Sequence, residues 1–275
     1  MSMKVKRITI SGLVLAMLAG AAWRAQAIKR ETVGEPAQEE FRWRGQVAAG
    51  RTVEVKGING EVRAEPSTGN EVEVHAVKRG RRSDPRGVEI KVVEHEGGVT
   101  ICAVYPSRDP DRPNECQPGS RGRMSVRDND VRVDFIVRVP AAANFIGRTV
   151  NGKIEALSLN GNIEAYTVNG SIDVSTAGFA QAHTVNGSIN ATIGNADWKT
   201  LDFETVNGSI NLTLPGATST EVEAGTVNGS ISTDFPLTVQ GSISRRKLSG
   251  TIGNGGRELK LSTVNGGIRL RRSNQ

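Results

Sequence analysis

Six residues, Thr-Val-Asn-Gly-Ser-Ile, recur through the second half of this chain. The phrase stands unchanged at 167–172, 184–189, 205–210 and 226–231. It stands with one change at 149–154 (Lys153 for Ser) and at 263–268 (Gly267 for Ser), and a degraded copy, Lys-Leu-Ser-Gly-Thr-Ile, fills 247–252. Successive copies are 18, 17, 21, 21, 21 and 16 residues apart. Recurrence at a near-fixed period marks an array of stacked units. A hairpin sheet needs turns but no residue-for-residue copies. Stacking does need them, because each residue then lies over its own copy about 4.8 Å away.

A second turn follows the repeat Asn at Gly161, Gly178, Gly194 and Gly216, and the fifth coil holds Pro236 at that position. Two turns per 16–21 residues leave two short strands per coil. The expected fold is therefore all-β: a single-stranded parallel β-solenoid (β-helix) with two-turn coils, joined to an irregular β-rich N-terminal part. Asn-Gly readily takes positive φ, so it is expected to turn the chain at a structural corner formed by Asn151, Asn169, Asn186, Asn207, Asn228 and Asn265. Past the corner, Ile154, Ile172, Ile189, Ile210, Ile231, Ile252 and Ile268 are expected to stack as an inward column. Alternation carried through from Thr would place Asn inside, although the phrase alone leaves open whether Val or Asn points inward. The last coil, rich in arginine, is expected to blunt the exposed end of the stack.

Ahead of the array the chain divides into three parts. Residues 1–27 carry Lys4, Lys6 and Arg7, an apolar run from Ile8 to Trp23, and Ala25-Gln26-Ala27, the pattern of a secretory signal peptide cleaved after Ala27. The run is short for a membrane span, so no stable span is expected after cleavage. Residues 28–40 are polar and aperiodic and read as a flexible lead-in. Residues 41–145 alternate as strands, with an isolated early copy of the phrase at 57–62, and read as irregular coils or a cap before the regular array at 146–275. An exported chain of this kind belongs in the periplasm, on the cell surface or outside the cell. There Cys102 and Cys116 are expected to close a disulfide across a proline-rich loop.

Net charge argues against nucleic acid as a partner. The chain carries +6, but four of its basic residues belong to the signal segment, which leaves 31 basic against 29 acidic. Catalytic signals are thin. His75, His95 and His183 show no metal-ligand spacing, and Asp128-Asn129-Asp130 lacks the glycine and terminal glutamate of a Ca²⁺ loop. Glu155, Glu164 and Asp173 share an outward site that fades to Asn190, Asn211 and Ser232, as a solvated face does. No catalytic residue, metal or cofactor is expected. A basic segment, Lys78, Arg79, Arg81, Arg82 and Arg86, is the candidate for binding polyanions, against the plainer reading of a solvated loop.

The recurrent units, the Val-rich strand ending at Val139-Pro140 and the terminal stretch Leu259–Leu270 resemble the bacterial putative-adhesin family. Its members are β-strand-repeat proteins of unknown function, and the resemblance covers about residues 41–272. It implies a non-catalytic surface that binds cell-surface polysaccharide or an envelope protein, and it brings no catalytic residues. The segment 78–130 with its cysteine loop lies outside the motif. The competing readings are a polysaccharide-active β-helix enzyme, which would need carboxylates and cations converging in one groove, and a purely structural envelope component.

Overall fold

The isoleucine of the phrase opens a strand wherever the phrase is a corner. β9 (Ile154–Leu159), β11 (Ile172–Thr176), β13 (Ile189–Ile193), β15 (Ile210–Pro215), β17 (Ile231–Thr233) and β20 (Ile268–Ser273) all begin on it. The strands that lead into these corners are β8 (Asn144–Arg148), β10 (Ile163–Tyr166), β12 (Ala180–Asn186), β14 (Thr200–Asn207), β16 (Thr220–Asn228) and β19 (Glu258–Asn265). The early copy at 57–62 joins β2 (Thr52–Lys56) to β3 (Val62–Pro66), and the cysteine loop joins β6 (Gly98–Val104) to β7 (Arg132–Val139). The remaining strands are β1 (Ala37–Gln46), β4 (Glu71–Gly80), β5 (Glu89–His95) and β18 (Lys247–Ile252). This computed structural model describes residues 37–194, 198–239 and 244–273. The signal segment and most of the lead-in lie outside them. β1 starts at Ala37, so strand structure reaches four residues into the segment read as lead-in.

The strands form two ten-stranded sheets that are parallel in their interiors, an open, solenoid-like stack. The leading sheet runs β18-β16-β19-β14-β12-β10-β8-β2-β6-β5, and the trailing sheet runs β1-β4-β7-β3-β9-β11-β13-β15-β20-β17. Each corner carries the chain from the leading sheet to the trailing one. Register matches like with like: Ile172 lies beside Ile154 and Ile189, Ile210 beside Ile189 and Ile268, and Ile231 beside Ile268. Ile154, Ile172, Ile189 and Ile210 are fully buried and meet Ile163, Leu201 and Phe203 from the other sheet in one continuous core.

Three expectations need correction. The copies do not stack in chain order. β19 and β20 insert between the β14/β15 rung and the β16/β17 rung, so the arginine-rich final strand is interior to its sheet and blunts no end. The degraded copy is no corner either. Residues 247–252 form β18, an edge strand antiparallel to β16, and Ile252 leaves the isoleucine column to pair with Thr220. Finally, three of the four sheet edges are antiparallel, and only the trailing sheet ends on a parallel strand, β17. β1, β4, β5 and β18 run antiparallel to their neighbours at the two ends of the stack.

Candidate binding surfaces

At the corner, the threonine is the inward residue. Thr149, Thr167, Thr184, Thr205, Thr226 and Thr263 are buried, and each hydroxyl donates to a glycine carbonyl of the neighbouring rung at 2.8–3.2 Å. Both residues after it point out. Val150, Val168, Val185, Val227 and Val264 are exposed, as are all six repeat asparagines. The asparagine amides still bond along the axis. Each Nδ2 donates to the Oδ1 of its neighbour through Asn59, Asn151, Asn169, Asn186, Asn207, Asn265 and Asn228, at 2.7–2.9 Å. The stack thus carries an outward asparagine ladder beside an outward valine row.

The corner glycine has a different reason from the one expected. Among the corner glycines only Gly60, at φ +134°, and Gly266, at +158°, have positive φ, so the conformation is not shared by the corners. What excludes a side chain is contact. A Cβ on Gly152, Gly170, Gly187, Gly208, Gly229 or Gly266 would sit 1.8–2.0 Å from the carbonyl oxygen of the glycine beneath it.

The three outward carboxylates do not converge. Glu155 and Asp173 lie on the trailing sheet, where Lys153 bridges them at 2.5 and 2.6 Å. That double contact raises the Lys153 pKa, chiefly through Asp173. Glu164 lies on the leading sheet and accepts a hydrogen bond from Tyr166 at 2.8 Å. Burial, followed by that bond, pushes the Tyr166 phenol up to about 12. The Arg148 guanidinium stacks over the Tyr166 ring at 4.1 Å. His183 lies 3.6 Å from Asp202, His75 lies 3.1 Å from Glu40, and His95 lies 3.1 Å from Thr100. Among the described residues, no three His, Cys, Asp or Glu side chains are grouped to hold a metal ion. Asp130 instead ties down a turn, accepting from the Arg82 and Ser83 amides; the Ser83 bond is the main reason its carboxyl is held down at about 2.

The basic segment is largely neutralised. Lys78 and Arg79 belong to β4. Lys78 continues the inward phase of Val72, Val74 and Ala76, is buried, and pairs with Glu39 at 2.9 Å while donating to the Val88 carbonyl. It is therefore a buried structural cation rather than a polyanion contact, and its phase in the alternation was the signal for that. Arg79 pairs with Asp134, Arg82 with Asp130 and Arg86 with Asp84. Arg81 is exposed and has no ion-pair partner among the described residues.

The cysteine loop is closed by the Cys102–Cys116 disulfide, with the Cα atoms 5.7 Å apart. It is also clamped by residues that no motif singled out. Glu54 stands at an outward phase of β2 yet is buried, because the loop covers it. It accepts from Gly119 N at 2.9 Å, the Thr100 hydroxyl at 3.0 Å and Arg148 Nε at 3.0 Å. Lys56 donates to the carbonyls of Gln117, Gly119 and Arg121. Burial lowers its pKa, against the opposing pull of Glu54. Asn114 and Tyr105, both buried, anchor the loop's flanks; Tyr105 donates to the Val131 carbonyl, and burial pushes its phenol up to about 12.

Two parallel-rich sheets sharing one core, with ladders of identical side chains on the outside, define a β-repeat domain whose features of note are surfaces rather than a cleft. Residues 143–271 match the family model described as Toastrack DUF4097. No curated protein matches the chain. Among solved structures, a putative cell adhesion protein from Clostridium sporogenes is similar over 87% of this chain and 100% of its own, at a TM-score of 0.52 and 13% identity. A putative adhesin from Bacteroides fragilis aligns over 87% of this chain and 99% of its own (TM-score 0.33, 10% identity). A protein from Parabacteroides distasonis described as lipid binding aligns over 87% and 97% (TM-score 0.28, 9% identity). The likeness to the Clostridium protein is one of fold. No helix among the described residues is long and apolar enough to cross a membrane.

Proposed function

We propose that this chain is an exported, non-catalytic, adhesin-like β-solenoid of two-turn coils that presents a repetitive surface to envelope polymers or protein partners. The observation that carries the reading is the unbroken outward asparagine ladder beside the exposed valine row. Such a ladder gives one surface motif a fixed pitch of about 4.8 Å over a rigid core. The disulfide supports an oxidising compartment, and the cell-adhesion description of the Clostridium neighbour is in keeping with the role. In this reading residues 41–145 supply the irregular end of the stack and 146–275 its regular part. The enzymatic alternative loses its main support, because Glu164 lies on the opposite sheet from Glu155 and Asp173. The test is localisation of the chain in its own cell, with pull-down of envelope fractions by the purified protein. Residence in the cytoplasm, or no enrichment of any envelope component, would refute the reading.

A further inference from the structure

The outer face of the trailing sheet changes character along the stack. Near its N-terminal end the cations are matched: Arg63 reaches Glu61 and Glu155, Arg138 reaches Glu73, and Arg132 reaches Asp134. The middle is neutral, with Asn190, Thr192, Asn211 and Thr213 facing out. Then comes β20, on which Arg269 and Arg271 face out and have no ion-pair partner among the described residues; Arg272 is exposed and likewise without an ion pair, but it stands at the inward register of Leu214.

Register fixes what surrounds them. Arg269 lies between Asn211 and Ser232, and Arg271 lies beside Thr213. The nearest carboxylate in the Arg269 row is Asp173, three strands away. That is about 14 Å at ordinary strand spacing, beyond the roughly 8 Å over which salt leaves a charge felt. Lys153 already holds Asp173 at 2.6 Å. Asp234 lies nearer, and its carboxylate accepts the backbone N–H of Arg272 at 3.4 Å. Stability gives no reason to set two unmatched guanidinium groups side by side on one outer face, one of them between two strands.

We propose that this β20 arginine row is a docking line for an anionic polysaccharide. The inference rests on the surface-binding role above and adds the face and the class of polymer. Arg269 and Arg271 project from one face about 7 Å apart, two residue rises along a strand. Guanidinium groups take carboxylates or sulfates in paired hydrogen bonds. The flanking Asn211, Thr213 and Ser232 offer amide and hydroxyl groups to sugar hydroxyls. Strands β13, β15, β17 and β20 carry no aromatic residue on which single-stranded bases would stack. Three cations are also few for the multiple phosphate contacts that hold a duplex. The leading sheet bears Asp202, Glu204, Glu221, Glu223 and Glu258 near the same end, so a second copy seated face to face is the competing occupant.

Affinity electrophoresis of the full chain through gels holding polygalacturonate, dextran sulfate or neutral dextran tests this, beside R269S/R271S/R272S and R81A/R82A/R86A variants. The expected result is retardation by polygalacturonate, dextran sulfate or both but not by neutral dextran. Which of the two retards the chain tells a carboxylated source from a sulfated one. Affinity should fall about tenfold or more in the β20 variant and stay unchanged in the 81/82/86 variant. Equal binding by the wild type and the β20 variant, no retardation in either charged gel, or equal retardation by duplex DNA would overturn the proposal. So would concentration-dependent dimerisation that the β20 variant abolishes, read by light scattering. The β20 variant must keep the wild-type melting temperature. If the wild type and the β20 variant capture the same envelope fraction equally, the arginine row fails while the adhesin-like reading stands. If the wild type captures none, that reading itself fails.

Discussion

Gly187 is the sharpest place to test how the corners are held. A Cβ there would lie 2.0 Å from the Gly170 oxygen, 2.4 Å from its carbon and 2.8 Å from Ser171 N. Backbone atoms are on the other side of the contact, so no side chain can swing away. Relief requires the two corners to part by about 1 Å, since non-bonded heavy atoms rest more than 3 Å apart. That separation would stretch Asn186 Nδ2–Asn169 Oδ1 (2.8 Å), Thr184 Oγ1–Gly170 O (2.9 Å) and Gly170 N–Asn186 O (3.0 Å) past hydrogen-bonding range. Three bonds at about 1 kcal/mol each give a loss of about 3 kcal/mol for Gly187→Ala. In a domain of this size that lowers the melting temperature by roughly 6–12 °C. Gly225→Ala is the control: a Cβ there meets nothing within 4 Å, and the change should stay within about 0.5 kcal/mol of wild type. Gly187→Asn separates contact from conformation. If the corner needed positive φ, Asn would be better tolerated than Ala; if it needs empty space, Asn is worse. Urea titrations followed by circular dichroism read all three. A Gly187→Ala loss below about 0.5 kcal/mol, or Asn outperforming Ala, refutes the close-contact account.

Other perturbations follow from the same geometry. Asn186→Ala removes one amide bond given and one received and should cost about 1 kcal/mol, whereas Asn228→Ala, which removes only the bond to Asn265, should cost about half as much in the same titration. Replacing Cys102 and Cys116 by Ser frees a loop of 14-residue separation, for which chain entropy predicts a loss of about 3 kcal/mol. Limited proteolysis with mass spectrometry should then place the first cuts within 106–122, and first cuts elsewhere would contradict this. The Asp130 carboxyl, held at about 2, lies below its unfolded value, so its contribution is complete above about pH 4 and is lost as pH falls toward 2. An NMR titration of that carboxyl with a midpoint near 4 would refute the anchoring of the 82–83 turn. Deleting 257–275 removes an interior rung, so hydrogen exchange should accelerate throughout β16 and β17; unchanged protection there would show that the rung order is wrong.

Much of this architecture is legible in residues taken singly. The isoleucine column, the buried threonines and the Asn-Gly turn sites follow from period-two alternation and like-on-like stacking. Alternation fails at the corner itself. Val185 and Asn186 point out in succession, because a chain passing from one sheet to the next breaks the pleat. The glycine requirement reads as one of φ because sequence shows conformational preference but hides what lies 2.0 Å away. The pairing of the basic segment is hidden for a related reason. Arg79 and Arg82 meet Asp134 and Asp130, partners some 50 residues distant that no local window contains. The clamp on the cysteine loop was hidden likewise: Glu54 reads as one more outward carboxylate until Gly119, 65 residues on, closes over it.

Rung order shows most clearly what repetition leaves undetermined. Copies that stack like on like are interchangeable at the corner: Asn265 fits over Asn207 as well as Asn228 would. The phrase therefore specifies that copies neighbour one another but not which ones do. The ends supply the choice. At the N-terminal end β6 and β7 lie outside β2 and β3, which precede them in the chain. At the C-terminal end β16 and β17 lie outside β19 and β20, which follow them. In each case the chain builds a rung out of turn, and antiparallel strands pair beyond it at three of the four sheet edges, through β4 and β5 at one end and β18 at the other, while the trailing sheet ends on the three-residue parallel strand β17. A stack laid down strictly in order would finish on parallel strands with open backbone groups, the template that invites edge-to-edge association. Reversing direction at the last step ends the repeat with strands that match no further copy of the phrase. The degraded copy at 247–252 fits this role. With Leu248 and Ser249 where the corners have Val and Asn, it cannot extend the asparagine ladder, and it serves as the strand on which the leading sheet stops.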